Sequence, residues 1–270
     1  IHTQSYWNSS NQNNASDLMD QGYTPEEIIE YLVENDAQGN PSIRQYGVVD
    51  LVDGGRSAAF TGENCYDYKN HILGPTYSIQ GNILLGQEVL DSMETNFLNT
   101  SGSLATRLMS AMQGAKIPGA DTRCLSNGIS SLSAFIRVAK PTNSEDSLYL
   151  HLNVNNTQPG IDPIDTLQDL FDDWYAENPD LVTIQIDFNE GWNLVGLPVY
   201  INDAEYSSIF SEAIIGTLFS FDSGYTSESE LIPGMGYWLR FSTNGSVIVT
   251  GVPIYDITLL LNEGWNIITG

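Results

Sequence analysis

The sequence predicts an α+β domain followed by an all-β module. Two observations support this prediction. Helical and strand-like patterns alternate in blocks up to residue 178, and helical periodicity is lost after Pro179. A third observation is a repeat, because the phrase Asn-Glu-Gly-Trp-Asn occurs at 189–193 and again at 262–266. An identical phrase with matched apolar flanks, roughly 70 residues further along, is typical of a modular chain.

The first domain is predicted to begin with a loop and two helices. The polar stretch 8–14 indicates a loop, and a helix is predicted to begin near Ala15. Thr24-Pro25-Glu26-Glu27 combines an N-cap residue, a first-turn proline and a capping-box glutamate, so it predicts a second helix. Apolar residues then recur at helical spacing until about Asn35.

Blocks of strands and helices follow. Residues 43–52 are rich in β-branched side chains and predict a strand, with Asp53-Gly54-Gly55 as a hairpin turn and 57–61 as the returning strand. Consecutive strands joined by short turns indicate an antiparallel sheet with helices on its faces. The remaining predicted elements are a strand at 77–82, helices at 88–98 and 103–113 with Gly114 as the stop, strands at 130–139 and 148–154, and a helix at 163–174.

The domain boundary is predicted near Asn178-Pro179-Asp180. Beyond it, short apolar runs alternate with Gly, Pro, Asn and Ser, as in an all-β sandwich, with one doubtful helical turn at 206–210. We therefore expect a domain at 1–178, a β-sandwich module at 179–256, and the truncated start of a second module at 257–270. Since the second repeat begins so close to Gly270, we expect the sequence to be a piece of a longer chain.

The charge balance excludes one class of partner. The chain has 34 acidic and 9 basic residues and a net charge of -25, which repels nucleic acid and disfavours an anionic membrane surface. No apolar run reaches membrane-spanning length, so membrane insertion is not expected. Such acidity suits an exported protein. No glycine loop for phosphate and no calcium-loop phrase is present, and no cofactor is predicted.

The cysteines and histidines do not indicate a metal site. Cys65 and Cys124 lack Cys-x-x-Cys spacing and are open to three interpretations: a disulfide, buried thiols, or partners for cysteines elsewhere. A bridge between them would close a loop of about 60 residues and contribute roughly 3–4 kcal/mol. His2, His71 and His151 share no ligand spacing, so each is predicted to be solvated or hydrogen-bonded.

Several phrases of the first domain resemble an uncharacterised bacterial family, the ten-twenty-eight domain of unknown function, which is placed with the Ntn hydrolases. The resemblance covers about 170 residues and is specific only when the phrases are taken together. They are Thr3-Gln4, Arg44-Gln45-Tyr46-Gly47-Val48-Val49-Asp50, Ala58-Ala59-Phe60-Thr61-Gly62 with Cys65, Gln80-Gly81-Asn82 with Met93 and Phe97, and Asp121 with Arg123.

This resemblance implies a four-layer αββα sandwich from which the family's first 40 or so residues are missing. In Ntn hydrolases the first residue of the mature chain is the nucleophile and its α-amino group is the base. Ile1 has no nucleophilic side chain, and two residues precede Thr3. The resemblance therefore implies a nucleophile in a missing segment, or a branch that does not use this mechanism, and catalytic residues stay unassigned.

The second region is similar to a β-sandwich module repeated in secreted bacterial proteins. Gly191-Trp192-Asn193-Leu194-Val195-Gly196-Leu197-Pro198, Ile209-Phe210 and residues 232–239 carry this likeness. In such proteins the module is a spacer or attachment unit. It implies attachment to a cell surface or extracellular matrix.

Two acid–base pairs are candidate site residues. Arg44 and Asp50 flank an apolar strand, so they form either a surface ion pair or a substrate site in which Arg44 holds a carboxylate bidentately. Asp121 and Arg123 lie in a loop and form either a structural salt bridge or part of the same site.

Two amides are the other candidates. Gln80 and Asn82 surround Gly81, so they either end a strand in a turn or donate hydrogen bonds to an oxyanion or a substrate amide.

Two functions are compatible with these patterns. The first is an exported multidomain protein whose first domain hydrolyses an amide bond in a small or peptide-like substrate. The alternative is a non-catalytic extracellular structural or adhesive protein that self-associates into a filament, lattice or surface layer.

Overall fold

The chain folds into two compact units, Ile1–Trp174 and Tyr175–Gly270. The computed structural model describes residues 1–144, 147–255, 257–261 and 263–269. Two of the predicted positions in the second repeat, Asn262 and Gly270, lie outside the described residues. Helices and strands are mixed in the first unit, as an α+β class requires, whereas strands predominate in the second.

The first unit contains five helices and seven strands among its described residues. Its sheets are β1-β2-β3, β4-β5 and β6-β7, and all the strand pairs are antiparallel. The elements are β1 (His2–Ser5), α1 (Ser9–Asp20), α2 (Pro25–Glu34), β2 (Arg44–Asp50), β3 (Arg56–Thr61), β4 (Asn70–Gly74), β5 (Tyr77–Gly81), α3 (Gln87–Asn99), α4 (Leu104–Gly114), β6 (Ala134–Val138), β7 (Leu150–Val154) and α5 (Pro163–Glu177).

Helices α1 and α2 cover one face of the β1-β2-β3 sheet. Ala15, Ile28 and Leu32 from the helices pack with Tyr46 and Val48 of β2, and all five are nearly inaccessible to solvent. The capping box predicted at Thr24 is present, because Thr24 Oγ1 accepts from the Glu27 N–H and the Glu27 carboxylate accepts from the Thr24 N–H. Tyr46 and Val48 of β2 therefore point toward the helices, and the alternate positions point the other way.

The start of α1 corrects the predicted loop at 8–14. Helix α1 begins at Ser9 because the Asn8 side chain accepts hydrogen bonds from the N–H groups of Ser10 and Asn11. The Asn11 side chain is buried and donates to Asp36 and Tyr46, which ties the helix to the sheet. Tertiary contacts therefore override the weak helix propensity of this polar stretch.

The second unit has a single apolar core that both of its sheets line. One sheet has the order β10-β14-β8 and the other β12-β11-β13-β9. The elements are β8 (Val182–Phe188), β9 (Gly191–Val195), β10 (Val199–Tyr200), α6 (Tyr206–Ile209), β11 (Phe219–Phe221), β12 (Tyr225–Ser227), β13 (Tyr237–Phe241) and β14 (Gly245–Pro253).

The described residues of the two copies of the repeated phrase share two local features. Gly191 has φ +95° and Gly264 has φ +105°, a region of backbone conformation that favours glycine. The side-chain N–H of Asn193 donates to Gly191 O at 3.1 Å, and that of Asn266 donates to Gly264 O at 3.2 Å. The repeat is therefore visible in the local structure as well as in the sequence.

The segment after the second turn packs on the first module. Gly236 N–H donates to Ile267 O at 2.9 Å, and Thr269 N–H donates to Gly234 O at 3.2 Å. These bonds extend the start of β13 by a short antiparallel bridge between Met235 and Ile268.

Candidate functional site

The face of the β1-β2-β3 sheet that points away from α1 and α2 carries a row of polar side chains. Gln4 lies directly opposite Gln45 across β1 and β2, and Gln45 lies opposite Thr61 across β2 and β3. Directly paired residues share a face of a sheet, so these three side chains form one row. Gln45 is fully buried, which makes its hydrogen bonds obligatory.

The β4-β5 hairpin covers this row. Gln45 Nε2 donates to Gly81 O at 3.0 Å and to Asn70 O at 3.1 Å. Because carbonyl oxygens only accept hydrogen bonds, these contacts fix the orientation of the Gln45 amide. Its Oε1 therefore accepts, from Gln4 Nε2 at 2.6 Å and from Asn82 Nδ2 at 3.1 Å.

The fixed amide of Gln45 also orients a hydroxyl–imidazole pair. Gln45 Nε2 lies 2.9 Å from Thr61 Oγ1, and Thr61 Oγ1 lies 2.9 Å from His71 Nδ1. Gln45 Nε2 has two hydrogens for three acceptors, Gly81 O, Asn70 O and Thr61 Oγ1, so one hydrogen is shared. Since an amide nitrogen does not accept hydrogen bonds, we assign the Thr61 hydrogen to the bond with His71 Nδ1. Burial lowers the pKa of the His71 imidazole below its ordinary value of 6.5, which favours the neutral ring that can accept that hydrogen.

Gln80 completes what we call the amide cluster: Gln4, Gln45, Thr61, His71, Gln80 and Asn82. It lies opposite His71 in the β4-β5 register, and its Oε1 accepts from Ser78 Oγ at 2.7 Å. Its side chain lies over the backbone of Gly47, where a Cβ atom would be 2.5 Å from Gln80 Oε1. Within the described part of the chain, Gln80 Nε2 has no hydrogen-bond partner.

Asn82 and Gln80 lie together in the amide cluster, but Arg44 does not lie with them. The Arg44 side chain points to the opposite side of β2 and is 2% exposed. Its Nε lies 2.9 Å from Asp36 Oδ2, its Nη2 lies 2.7 Å from Gln38 Oε1, and its Nη1 donates to Tyr6 O. The structure therefore gives Arg44 internal partners in place of a substrate carboxylate.

Asp50 also has a partner other than the predicted Arg44. It lies opposite Arg56 in the β2-β3 register, and Arg56 Nη2 lies 2.5 Å from Asp50 Oδ2. The prediction of an ion pair between Arg44 and Asp50 is therefore wrong, because Arg44 pairs with Asp36 and Asp50 pairs with Arg56.

Asp121 and Arg123 form a local ion pair, in a segment that is bridged to Leu84, two residues after Asn82. Arg123 Nη2 lies 2.5 Å from Asp121 Oδ2, and Asp121 Oδ1 also accepts from the Arg123 N–H at 3.0 Å. The Arg123 side chain is 69% exposed. Since both groups satisfy each other within one turn, this geometry fits the structural salt bridge better than a substrate site.

The two cysteines are free and buried, so of the three interpretations the structure contains the buried thiols. Cys65 Sγ donates to Arg44 O at 3.3 Å, whereas Cys124 lies in the 3-10 helix Thr122–Asn127. Burial raises the pKa of the Cys124 thiol, which opposes formation of the nucleophilic thiolate. The disulfide, another of the three interpretations, is absent, and each sulfur lies in its own local environment.

Sequence reasoning missed Gln45, Thr61 and the role of His71. Gln45 and Thr61 lie within the phrases that carry the family likeness. His71 lies outside them, on β4, which shows no clear alternation to place it on a sheet face. His71 is hydrogen-bonded, as predicted. Its partner is the hydroxyl of Thr61, which makes this histidine part of the candidate site.

No group of three or more His, Cys, Asp or Glu side chains in the described part of the chain is arranged to hold a metal ion. None of the helices described there is both long and apolar enough to cross a membrane.

Comparison with known proteins identifies relatives of the first unit. Residues 1–167 match the family described as "Family of unknown function (DUF1028)". The chain is also similar to the crystal structure of a Silicibacter pomeroyi protein assigned to DUF1028, at 21% identity and a TM-score of 0.49. That match covers 62% of this chain and 68% of the other. No curated protein matches the chain.

Proposed function

The chain belongs to the family of unknown function DUF1028, and from this premise we propose that its first unit hydrolyses an amide bond in a small or peptide-like substrate. One observation carries the proposal: Thr61 Oγ1 lies 2.9 Å from His71 Nδ1 inside a cluster of side-chain amides. A hydroxyl bonded to a neutral imidazole is a nucleophile next to its base.

The proposed reaction has two steps. Thr61 Oγ1 attacks the carbonyl carbon of the substrate amide, and its proton passes to His71 Nδ1. The C–N bond then breaks, the amine leaves with the proton from His71, and an acyl ester remains on Thr61. In the second step His71 takes a proton from water as the water oxygen attacks the ester carbon. The bond between that carbon and Thr61 Oγ1 then breaks, the proton passes from His71 to Thr61 Oγ1, and the carboxylic acid leaves.

The amides of the cluster supply the remaining chemistry. An anionic oxygen develops on the substrate carbonyl as Thr61 attacks, and a positioned N–H stabilises it. Gln80 Nε2 is the donor available for this role, because it lies on the strand position opposite His71 and has no partner in the described residues. Gln45 is a positioning residue, since it holds the Thr61 oxygen and fixes Asn82 through its own Oε1.

A panel of short N-acyl amino-acid amides and peptides tests this function. We expect turnover by the unaltered chain and a loss of about 100-fold or more in Thr61→Val and His71→Gln, the range that nucleophile and base removal give. Thr3→Val and His151→Gln are matched controls, because Thr3 bonds only Gln12 through its hydroxyl and His151 is exposed on β7.

Two results would overturn the proposal. One is no turnover of any amide by the unaltered chain. The other is turnover that Thr61→Val leaves unchanged, which would place the nucleophile elsewhere.

A second candidate function is a non-catalytic structural role. It is favoured by the complete hydrogen bonding of the interior, because every buried side-chain nitrogen and oxygen among the described residues has a partner. A fully satisfied network stabilises a fold without needing a ligand. In that case Thr61→Val and His71→Gln lower the melting temperature with no activity to lose, and the unaltered chain forms filaments or sheets visible by electron microscopy.

We also propose export, with a four-layer αββα arrangement for the first unit and an attachment role for the second. The net charge of -25 supports export to a salty medium and argues against nucleic acid. The layering is supported by α1 and α2 on one face of the β1-β2-β3 sheet and the β4-β5 hairpin on the other. Fractionation of cells that express the natural protein tests the location.

A further inference from the structure

The outer face of the β12-β11-β13-β9 sheet carries a groove lined by Trp192, Phe219, Tyr225 and Trp238, with a volume of about 460 Å³. We call it the aromatic groove. Trp192 lies on β9, Trp238 on β13, Phe219 on β11 and Tyr225 on β12, so every strand of the sheet contributes one ring. Cross-strand register places Phe219 opposite Trp238, which makes the rings neighbours across the sheet.

The core of this unit does not need these rings. The residues that alternate with them, including Val195, Tyr237 and Leu239, point inward and fill the apolar core. An outward face of an antiparallel sheet is ordinarily polar. Here Trp192 is 51% exposed and Tyr225 is 65% exposed. Such a concentration of exposed aromatic surface marks a binding site.

The groove offers both apolar faces and free polar groups. In the described part of the chain, the indole N–H groups of Trp192 and Trp238 and the hydroxyl of Tyr225 have no hydrogen-bond partner. A matching ligand presents flat C–H surfaces to the rings and hydroxyl groups to these donors. A pyranose ring has both. A groove of this volume also falls within the range of small-ligand sites.

We infer that the aromatic groove binds a chain of uncharged pyranose sugars. The lack of ligand charge follows from electrostatics: the chain carries a net charge of -25, and Arg240 is the only basic residue on these four strands. Arg240 lies opposite Trp192 in the β9-β13 register and is exposed, so it can donate to ring hydroxyls at one end of the groove.

Two other occupants fit less well. A second copy of the chain would have to bury about 800 Å² on each side. Four aromatic side chains, of which Trp192 and Tyr225 are exposed and Phe219 and Trp238 only partly so, offer at most on the order of 400 Å². Single-stranded nucleic acid stacks on aromatic rings, but it also requires a positively charged groove. The acidic chain repels it.

Binding of hexasaccharides to the full chain tests the inference. Cellohexaose, chitohexaose and laminarihexaose are added separately, and binding is followed by isothermal titration calorimetry and tryptophan fluorescence. We expect binding of at least one of them, with a dissociation constant on the order of 0.1 mM, and a weakening of about tenfold or more in Trp192→Ala. Trp192→Phe keeps a ring and should retain part of the affinity.

Trp7→Ala is the matched control, because Trp7 is 63% exposed but lies in the first unit, outside the groove. It should bind as the unaltered chain does. No binding of any of the three sugars, or equal binding by Trp192→Ala, would overturn the inference. Concentration-dependent dimerisation that Trp192→Ala abolishes would instead assign the groove to a second copy of the chain.

Discussion

Arg44 and Asp36 form an ion pair that is sealed inside the first unit: Nε lies 2.9 Å from Oδ2, and the side chains are 2% and 0% exposed. Asn11 also donates to Asp36, so α1, the loop before β2 and β2 itself meet at one carboxylate. Removing one member leaves the other as a buried, unpaired charge. The pair is therefore a structural junction.

We predict that Arg44→Met lowers the free energy of unfolding by about 3–5 kcal/mol, the range for breaking a buried pair from one side. Urea denaturation measures it. Arg56→Gln is the control, since it breaks the more exposed Asp50–Arg56 pair, and it should shift the midpoint much less. Equal shifts for the two variants would contradict this account.

Acid should destabilise the chain partly through Asp36. Burial raises the pKa of this carboxyl, but hydrogen bonds from Arg44, Asn40, Asn11 and Gln38 outweigh burial and hold the pKa well below its ordinary value of 3.8. A depressed carboxyl pKa stabilises the folded state above the unfolded pKa, and this contribution is lost as pH falls below about 3.8.

Asp36→Asn removes this titration. Its stability at neutral pH should be lower, and its unfolding free energy should depend less on pH below 4 than that of the unaltered chain. Denaturation series at pH 2–7 compare the two. Parallel curves would show that Asp36 does not titrate as the ion pair requires.

His71 should titrate with a midpoint below 6.5, because burial opposes the imidazolium. NMR of the ring protons measures this midpoint directly. Since the unfolded chain takes up the proton first, stability should fall as pH drops through 6.5, and His71→Gln should remove that part of the fall. Amide hydrolysis, if His71 is its base, should rise with pH over the same range.

Gly47→Ala should disturb the amide cluster, because Gly47 lies directly under the Gln80 side chain. A Cβ atom there would lie 2.5 Å from Gln80 Oε1 and 2.8 Å from Ser78 Oγ, so Gln80 must move. We expect a loss of about 1–3 kcal/mol in stability and reduced turnover. Gly224→Ala is the control, because a Cβ atom there meets nothing within 4 Å.

The double variant Gly47→Ala/Gln80→Ala separates the two effects. Removing the Gln80 side chain relieves the clash, so stability should recover in part. Turnover should stay low because the proposed oxyanion donor is gone. Recovery of both stability and turnover would show that Gln80 has no chemical role.

Local signals in the sequence predicted much of the fold. The Thr24 capping box, the β2-β3 hairpin and helix α5 depend on residues close together in the chain, and their patterns are strong. Strands β1 and β4 are short and lack alternation, so they were missed. Helix α1 was missed over its first half because its support comes from Asp36 and Tyr46, far along the chain.

The candidate site was only half predictable for the same reason. Gln80 and Asn82 stood out as amides around a glycine, but their partner Gln45 lies 37 residues before Asn82 in the chain. Pairing between β2 and the β4-β5 hairpin creates the site, and periodicity in one segment cannot show which hairpin will cover it. Arg44 was misassigned because a charged residue at the edge of an apolar strand looks solvent-facing until Asp36 is placed beside it.

The shared turn at Gly191 and Gly264 has a consequence for how such a chain can grow. In each copy the glycine with positive φ and the asparagine that bonds it lie within the phrase itself, and in the first copy Asn244 also accepts from the Glu190 N–H. Duplicating the phrase therefore supplies every new copy with the glycine and the asparagine of this corner. The number of modules could change during evolution while each corner kept its shape.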